Sequence, residues 1–258
     1  LAGWTREGCL LVSTRFAETA QAHRVCTPLG MREQLTFHRE PVTGLVPAPA
    51  GAWRDGFVFA KDRGGDEFSQ LYWCDAATRG TTLLTDGRRS QNGGGVVSRD
   101  GGLLAYSSTA GNGTDRDIWI RDTRSGESRV LLSAGGHWGA MDFSPDRRRL
   151  LVSRYVSANE SYPGEGDVAT GKLTLFPVDG GKAAFGGFQF AGDGKAVYFV
   201  SDEPFEGKAS EFRTLRYHQP QGGEKTLGTR TRGQRERDDA AVAAQLPRSD
   251  RVRGVVRQ

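Results

Sequence analysis

The sequence predicts an all-β protein with the fold class of a β-propeller, and three observations carry this prediction. Asp-Gly turns and their variants recur every 45 to 48 residues, starting at positions 7, 55, 100, 146 and 193. Each turn is followed by a run of β-branched, aromatic and leucine residues, which is typical of strands. Apolar residues do not recur at helical spacing. About four short strands fit into each period, and this is the pattern of a propeller blade.

The strands of each unit follow in order. The runs directly after the turns are CLLVSTR, FVFAKDR, LLAYSST, LLVSRYV and AVYFVSD. A polar loop and a further strand come next, in AHRVCTP, QLYWCDA, DIWIRDT and KLTLFPV. Three units add EQLTF, TTLLT and RVLLS, and GGGVVS, GAMDFS and GGFQF precede later turns. The stretch SYPGEGDVATG, residues 161–171, has no such strand pattern, so an irregular fourth unit is expected.

The length of the repeat decides between two all-β architectures. A four-stranded sheet cannot cover both of its faces alone, so successive sheets must stack on one another. In a β-sandwich, turns occur about every 8 to 12 residues and show no longer period. The repeat of 45 to 48 residues therefore favours the propeller.

The charge of the chain is concentrated at its C-terminal end. The formal net charge is +4, but residues 225–258 hold nine Lys and Arg against four Asp and Glu, which is +5 and leaves −1 for the rest. The sequence predicts a propeller domain over residues 1–224 and an Arg-rich, irregular tail over 225–258. No nucleic-acid footprint or membrane segment is expected in the domain.

The three cysteines, Cys9, Cys26 and Cys74, form no metal-binding spacing, and an odd number does not suggest a disulfide framework. Buried, inert thiols are the expectation.

The four histidines, His23, His38, His137 and His218, are far apart in the sequence, so structural roles are expected. The sequence predicts no catalytic, cofactor-binding or metal-ligating residue. The acidic loop 112–117 could bind calcium, but Asx turns are favoured there because the oxygen ligands are too few.

Residues 64–68 read GGDEF, the signature of diguanylate cyclases. In those enzymes the motif forms a hairpin within an α/β domain. Here it connects two predicted strands, FVFAK and QLYWCDA, with no helical segment beside it. The sequence predicts a turn at Gly64 and Gly65 with exposed acids at Asp66 and Glu67, and a chance match to the motif.

Six longer stretches resemble the TolB-like, WD40-type propeller domain of the S9 (prolyl oligopeptidase, dipeptidyl peptidase IV-like) serine peptidases, and together they cover most of residues 3–218. They are STRFAETAQAHRV, MREQLTFHREPV, KDRGGDEFSQLYWCD, RSQNGGGVVSRDGGLLAYSSTAGNGTDRDIW, FSPDRRRLLVSRYVSANESY and GDGKAVYFVSDE.

The resemblance implies a second, α/β-hydrolase domain with a Ser-Asp-His triad, whose nucleophile sits in a G-x-S-x-G turn. No serine of this chain has that context. Some family members bind a substrate amine with paired propeller glutamates. Glu203 and Glu206 do not match that motif, and a solvated loop is expected there. Because the family's propellers have seven or more blades, the five units are expected to form an incomplete ring.

Two functions follow from this interpretation. The first is the non-catalytic propeller of an S9 peptidase, which gates peptide access to a hydrolase domain that is absent from this chain. The second is a stand-alone TolB-like module that binds a protein partner. Neither function requires a cofactor or specific nucleic acid.

Overall fold

The computed structural model describes residues 3–16, 18–49, 51–52, 54–178, 181–204, 212–219 and 223–228, the last of these through the backbone alone. All regular elements of these residues are strands, so no helix long and apolar enough to span a membrane occurs among them. The strands are β1 (Gly3–Trp4), β2 (Leu10–Arg15), β3 (Ala20–Val25), β4 (Glu33–Gln34), β5 (Thr43–Pro47), β6 (Gly56–Lys61), β7 (Gln70–Asp75), β8 (Thr81–Leu83), β9 (Asn92–Val97), β10 (Leu103–Ser108), β11 (Asp117–Asp122), β12 (Ser128–Leu132), β13 (His137–Phe143), β14 (Arg149–Ser157), β15 (Glu160–Asp167), β16 (Leu173–Leu175), β17 (Phe185–Phe190), β18 (Val197–Ser201), β19 (Thr214–Gln219) and β20 (Gly223–Gly228).

The strands form five four-stranded antiparallel sheets, each built from four consecutive strands in chain order. We call them blades 1 to 5, beginning with β1–β4. Each predicted apolar run after a turn lies in the second strand of its blade. The prediction of an all-β fold made of five repeated four-stranded sheets is therefore confirmed.

The described chain divides into two compact units. The first comprises Leu1–Ala140 with Thr170–Lys172, and the second comprises Met141–Ala169 with Leu173–Gln258. Blades 1 to 3 belong to the first unit and blade 5 to the second. Blade 4 lies largely in the second unit, although β13 begins in the first.

Apolar cores fill the space between neighbouring blades within each unit. Blades 1 and 2 share a core in which Leu11 packs with Phe57 and Phe59, the rings of the last two being 6.0 Å apart. Blades 2 and 3 share a second core that includes Val58 and Leu104. The corresponding core of the second unit is rich in phenylalanine and packs around Leu151. Alternate residues of β6 thus serve the two faces of one sheet.

The repeated turns are built in the same way. In the third blade the Ser98 hydroxyl donates to Asp100 at 2.8 Å and accepts the Leu103 N–H at 2.9 Å. In the fourth blade the Ser144 hydroxyl donates to Asp146 at 2.6 Å and accepts the Arg149 N–H at 3.0 Å. These matched bonds explain why S-x-D recurs at the repeat period.

A main-chain hydrogen bond recurs at one position between consecutive blades, from blade 1 to the start of blade 4. The Val42 N–H donates to the Ala20 carbonyl at 2.8 Å, and the Asn92 N–H donates to Ser69 at 2.9 Å. The Trp138 N–H donates to Arg116 at 3.1 Å. Each acceptor lies just before or at the start of a third strand, and each donor lies at or next to the following first strand. The blade links therefore occupy the same position throughout the first unit.

The fourth blade corrects two expectations. Residues 160–167 form a regular strand, β15, which pairs with β14 from Arg149↔Asp167 to Ser157↔Glu160. The segment KLTLFPV supplies the fourth strand, β16, rather than the third. The sequence missed β15 because proline and glycine weaken the strand pattern of ESYPGEGD. The blade itself is complete.

The cysteine expectation is wrong for two of the three residues. Cys9 and Cys26 form a disulfide with a Cα–Cα distance of 4.1 Å, and it joins the residue before β2 to the residue after β3. Cys74 is a free, buried thiol, as expected. Cys9 and Cys26 are brought together because they flank a paired hairpin, which their separation in the sequence did not reveal.

The last strand, β20, runs from Gly223 to Gly228 and pairs with β19. It therefore extends past the domain boundary predicted at residue 224. The rest of the predicted Arg-rich tail, residues 229–258, lies outside the described residues.

Candidate functional site

The polar loops of each blade gather at one end of its sheet. Because the strands are antiparallel and in chain order, the loop between the second and third strands lies at the same end as the link from the fourth strand to the next blade. We call this the loop end. In the first unit it carries the GGDEF segment, the acidic loop 112–117 and the buried glutamines Gln21 and Gln70.

Gln21 ties the loop end of blade 1 together. Its amide nitrogen donates to the carbonyls of His38 at 3.0 Å and Glu40 at 3.1 Å. Its amide oxygen accepts the Thr36 hydroxyl at 2.9 Å and the His38 N–H at 3.0 Å. The side chain is buried. A buried amide with both ends bonded holds the link between blades 1 and 2 in one conformation.

Gln70 repeats this network in blade 2. Its amide nitrogen donates to the carbonyls of Arg88 at 2.9 Å and Ser90 at 3.0 Å. Its oxygen accepts the Thr85 hydroxyl at 2.6 Å and the Gly87 N–H at 3.0 Å. Sequence reasoning missed both glutamines. The signal that could have found them was Gln at the start of two equivalent strands, QAHRV and QLYWC, each followed fifteen residues later by threonine.

The GGDEF segment is a turn between β6 and β7, as predicted. Gly64 and Gly65 have φ values of 64° and 79°, which are readily adopted by glycine. The Asp66 carboxylate accepts the Phe68 N–H at 3.0 Å, and Asp66 and Glu67 are exposed. The surrounding fold is a four-stranded antiparallel sheet, without the helices of a cyclase domain among the described residues.

Glu40 fastens this turn to the blade link. Its carboxylate accepts the Gly64 N–H at 3.3 Å and forms an ion pair with Lys61 at 3.3 Å. Hydrogen bonds from its own main chain and from Lys61 and Gly64 hold the pKa of Glu40 below its usual value. The Lys61 ammonium also lies 5.3 Å from the Tyr72 ring centre. The GGDEF turn is therefore held at its base while its tip is exposed.

His38 lies beside this ion pair. Burial lowers the pKa of His38, the Lys61 charge lowers it further, and Glu40 opposes the shift. The ring packs 5.4 Å from Phe59, and its Nε2 is buried without a hydrogen bond. The structure thus favours the neutral imidazole, which suits a packed structural residue.

The acidic loop of blade 3 forms the predicted Asx turns. Asn112 Oδ1 accepts the N–H groups of Thr114 at 3.0 Å and Asp115 at 2.8 Å. Asp115 accepts the Gly136 N–H at 2.8 Å and the Asn112 amide at 2.9 Å. Within the described ranges, no three His, Cys, Asp or Glu side chains group as potential metal ligands.

In the second unit, Glu203 is buried and not solvated, which corrects the expectation for this residue. Its carboxylate forms an ion pair with Arg216 at 3.2 Å, and both side chains are almost fully buried. The Arg216 guanidinium also donates to the Glu203 carbonyl and to Thr214 at 3.2 Å. Arg216 lies on β19, 13 residues after Glu203, and the spacing of the two residues did not indicate their pairing. Glu206 lies outside the described residues.

Comparison with known proteins places this geometry among propellers. No protein-family model and no curated sequence matches the chain. Among solved structures, TolB from Acinetobacter baumannii matches 82% of this chain with a TM-score of 0.59 and 14% identity. A Mycobacterium tuberculosis puromycin-hydrolyzing peptidase matches 88% with a TM-score of 0.60 and 13% identity.

This chain has the fold of the TolB-like and S9-peptidase propeller domains. An oligogalacturonate lyase from Vibrio parahaemolyticus is also similar, with 89% of this chain matched, a TM-score of 0.64 and 15% identity. The chain spans 49% of the Acinetobacter protein, 64% of the lyase and 36% of the peptidase. At these identities the similarity establishes the fold, as the repeats predicted.

Proposed function

We propose that this TolB-like chain is the non-catalytic propeller portion of an S9-family serine peptidase. Its role is to gate the access of peptides to a hydrolase domain that lies outside this chain. The observation that carries the proposal is that the stretches resembling the S9 family form blades with the fold of the puromycin-hydrolyzing peptidase. That match spans 36% of the peptidase, a share suited to one domain of a larger enzyme.

The loop end supports a gating role in physical terms. A steric gate excludes folded substrates when its rim keeps its shape, and unrestrained loops would yield to them. Gln21 and Gln70 fix the links between blades, and Glu40 fixes the base of the GGDEF turn. The exposed tips at Asp66 and Glu67 are left to face a peptide.

A second candidate is a stand-alone TolB-like module that binds a protein partner. The observation in its favour is that the similarity to the Acinetobacter TolB, at a TM-score of 0.59, equals that to the peptidase within 0.01. Fold alone does not select between the two functions.

The coding sequence downstream of Gln258 tests the two candidates. The peptidase proposal expects a continuing frame, or one restored by a single shift, that encodes a G-x-S-x-G segment between a strand and a helix. A stop codon with no such frame would favour the binding module. The longer product, which is the protein encoded by the continued reading frame, should react with a fluorophosphonate probe. The 258-residue chain serves as the unreactive control.

A second experiment addresses the gate within the longer product. Replacing residues 63–68 by a two-residue Asn-Gly turn shortens the rim and leaves β6 and β7 in place. We expect faster cleavage of a folded protein substrate and unchanged cleavage of a tetrapeptide. Equal changes for both substrates would argue against steric gating. The variant Glu67→Gln is the control, because it removes an exposed charge and keeps the loop length.

A further inference from the structure

The third blade departs from the glutamine network of its neighbours. Asp117 begins β11, as Gln70 begins β7, and both face the last residue of the preceding strand, Ser108 and Lys61 respectively. A carboxylate cannot donate to carbonyl groups as the glutamine amides do. In blade 3 the Gly136 carbonyl is satisfied by the Arg116 N–H at 2.9 Å, and the Gly136 N–H donates to Asp115. Asp117 therefore has no part in holding this link.

Asp117 is nevertheless buried. It is 4% exposed, and its Oδ1 is inaccessible and accepts no hydrogen bond. Its Oδ2 lies against the backbone of Gly111, where a Cβ atom would approach it to 2.6 Å. Over the residues that the structure describes, no Lys, Arg or His forms an ion pair with it. Burying an isolated carboxylate lowers the stability of a protein by about several kcal/mol unless a positive charge compensates it.

Two neutral oxygen donors share the face of Asp117. Ser108 is its direct partner on β10, and Asn92 is the direct partner of Ser108 on β9. Directly opposite residues point to the same face, with Cβ atoms about 5 Å apart. Both are buried, at 1% and 4% exposed. The Asn92 amide nitrogen donates to Ser69 at 3.0 Å and to Ser90. Asn92 Oδ1 accepts no hydrogen bond within the described chain, whereas the Ser108 hydroxyl oxygen already accepts the Ala110 N–H at 3.1 Å.

We propose that Asp117, Ser108 and Asn92 bind a monovalent metal cation, Na⁺ or K⁺, at the loop end of blade 3. One carboxylate matches one positive charge, and the serine and asparagine oxygens are neutral ligands that hard cations accept. A divalent cation would retain an uncompensated charge in this buried row, and no cluster of three acidic or histidine ligands accompanies it in the described residues. Water would hydrate the carboxylate without neutralising it. The inference does not depend on the peptidase proposal.

Thermal unfolding at constant ionic strength tests the site. The chain is measured in NaCl, in KCl and in tetramethylammonium chloride, whose cation is too large for a buried row. Binding to the folded state raises the melting temperature by about 3–6 °C at ten times the dissociation constant. We expect this rise in NaCl or KCl relative to tetramethylammonium chloride. Equal melting temperatures in all three salts would overturn the proposal, as would a response to CaCl₂ alone.

Two variants identify the carboxylate that responds. Asp117→Asn keeps the shape and removes the charge, and Asp117→Gln installs the amide found at positions 21 and 70. We expect both to lose the difference between salts and to melt no lower than the wild type in tetramethylammonium chloride. Glu67→Gln, which removes an exposed acid, should keep the difference. A cation response that persists in the folded Asp117 variants would place the site elsewhere and overturn the assignment.

Discussion

The two kinds of cysteine in this chain differ in chemistry because they differ in surroundings. Cys9 and Cys26 are joined across the ends of a hairpin, whereas Cys74 is enclosed in the core between blades 1 and 2. Burial raises the pKa of the Cys74 thiol to about 11. The thiolate is the reactive form, so the Cys74 thiol is unreactive in the folded protein.

Alkylation with iodoacetamide at pH 8 checks both assignments at the residue scale. The native chain should take up no label, because about one Cys74 in a thousand is ionised at that pH. The unfolded, unreduced chain should take up one label, and the reduced chain three. Cys74→Ala should take up none before reduction. Three labels before reduction would contradict the disulfide.

His38 predicts a pH dependence of stability. Its pKa in the folded protein is lowered from 6.5, chiefly by burial, so the folded state favours the neutral ring. Its stabilising contribution is fully present above pH 6.5 and is lost as the pH falls through the lower, folded pKa. We expect the unfolding free energy from urea titrations to fall between about pH 7 and pH 5.5, and to fall less in His38→Gln. The same slope in both proteins would assign the effect to other groups. The acids with lowered pKa values, such as Glu33, lose their contribution at lower pH.

At the scale of elements, networks of side-chain hydrogen bonds recur at equivalent loops of different blades. The Ser-Asp turns of blades 3 and 4 use the same two hydrogen bonds, and Gln21 and Gln70 use the same four classes of partner. The turn in blade 4 also places Arg147 at a φ of 60°, a position that glycine takes in many such turns. These networks stabilise the loops of blades 1 to 4 in addition to the apolar cores.

Removing one network tests its contribution. Gln70→Met keeps the length of the side chain but removes four hydrogen bonds, those to the Arg88 and Ser90 carbonyls and those from the Thr85 hydroxyl and the Gly87 N–H. Each lost hydrogen bond costs about 0.5–1.5 kcal/mol, so we expect a loss of about 2–4 kcal/mol in unfolding free energy for the four bonds.

The matched control is Gln34→Met. Gln34 is only partly buried and makes a single side-chain hydrogen bond, to the Thr36 carbonyl at 2.8 Å. Its loss should be below about 1 kcal/mol. Similar losses for the two variants in urea titrations would mean that the Gln70 network carries no special weight.

At the scale of the molecule, one face of blade 1 packs against blade 2, and the opposite face, which we call the open face, carries partly exposed apolar residues. Leu11 packs against blade 2, whereas Leu10, Val12 and Val25 on the opposite face are only partly buried, and Trp4 is 60% exposed. The equivalent residues of blade 2, Phe57 and Phe59, are covered by blade 1. The open face of blade 1 is thus of a kind that a neighbouring sheet covers elsewhere in this chain.

Sedimentation velocity tests the consequence of this open face. We expect concentration-dependent association of the 258-residue chain, because contiguous apolar surface favours contact between molecules. Trp4→Glu combined with Phe16→Glu should weaken it, since both side chains are more than half exposed on this blade. Leu29→Glu, in the exposed turn after β3, should leave it unchanged. A concentration-independent monomer would contradict the prediction.

The sequence predicted the fold to a greater extent than the site. The turn period, the apolar runs and the place of the GGDEF segment are local features, and the structure confirms them. Three features depend on which strands become neighbours. They are the ion pair of Glu203 with Arg216, the disulfide, and the burial of the Asp117 carboxylate without an ion-pair partner among the described residues. Such contacts are set by pairing register, which a single sequence leaves open where strands are as polar as ESYPGEGD.

The links between blades have a consequence for how such a chain arises. The recurring hydrogen bond between blades uses a main-chain N–H and a main-chain carbonyl, so this bond itself places no demand on side-chain identity. A gene segment encoding one period can be duplicated in tandem, and the new copy can join its parent without compensating mutations at the junction. Side chains are then released to diverge copy by copy. The same main-chain bond forms beside glutamine at two of three equivalent positions and beside aspartate at the third.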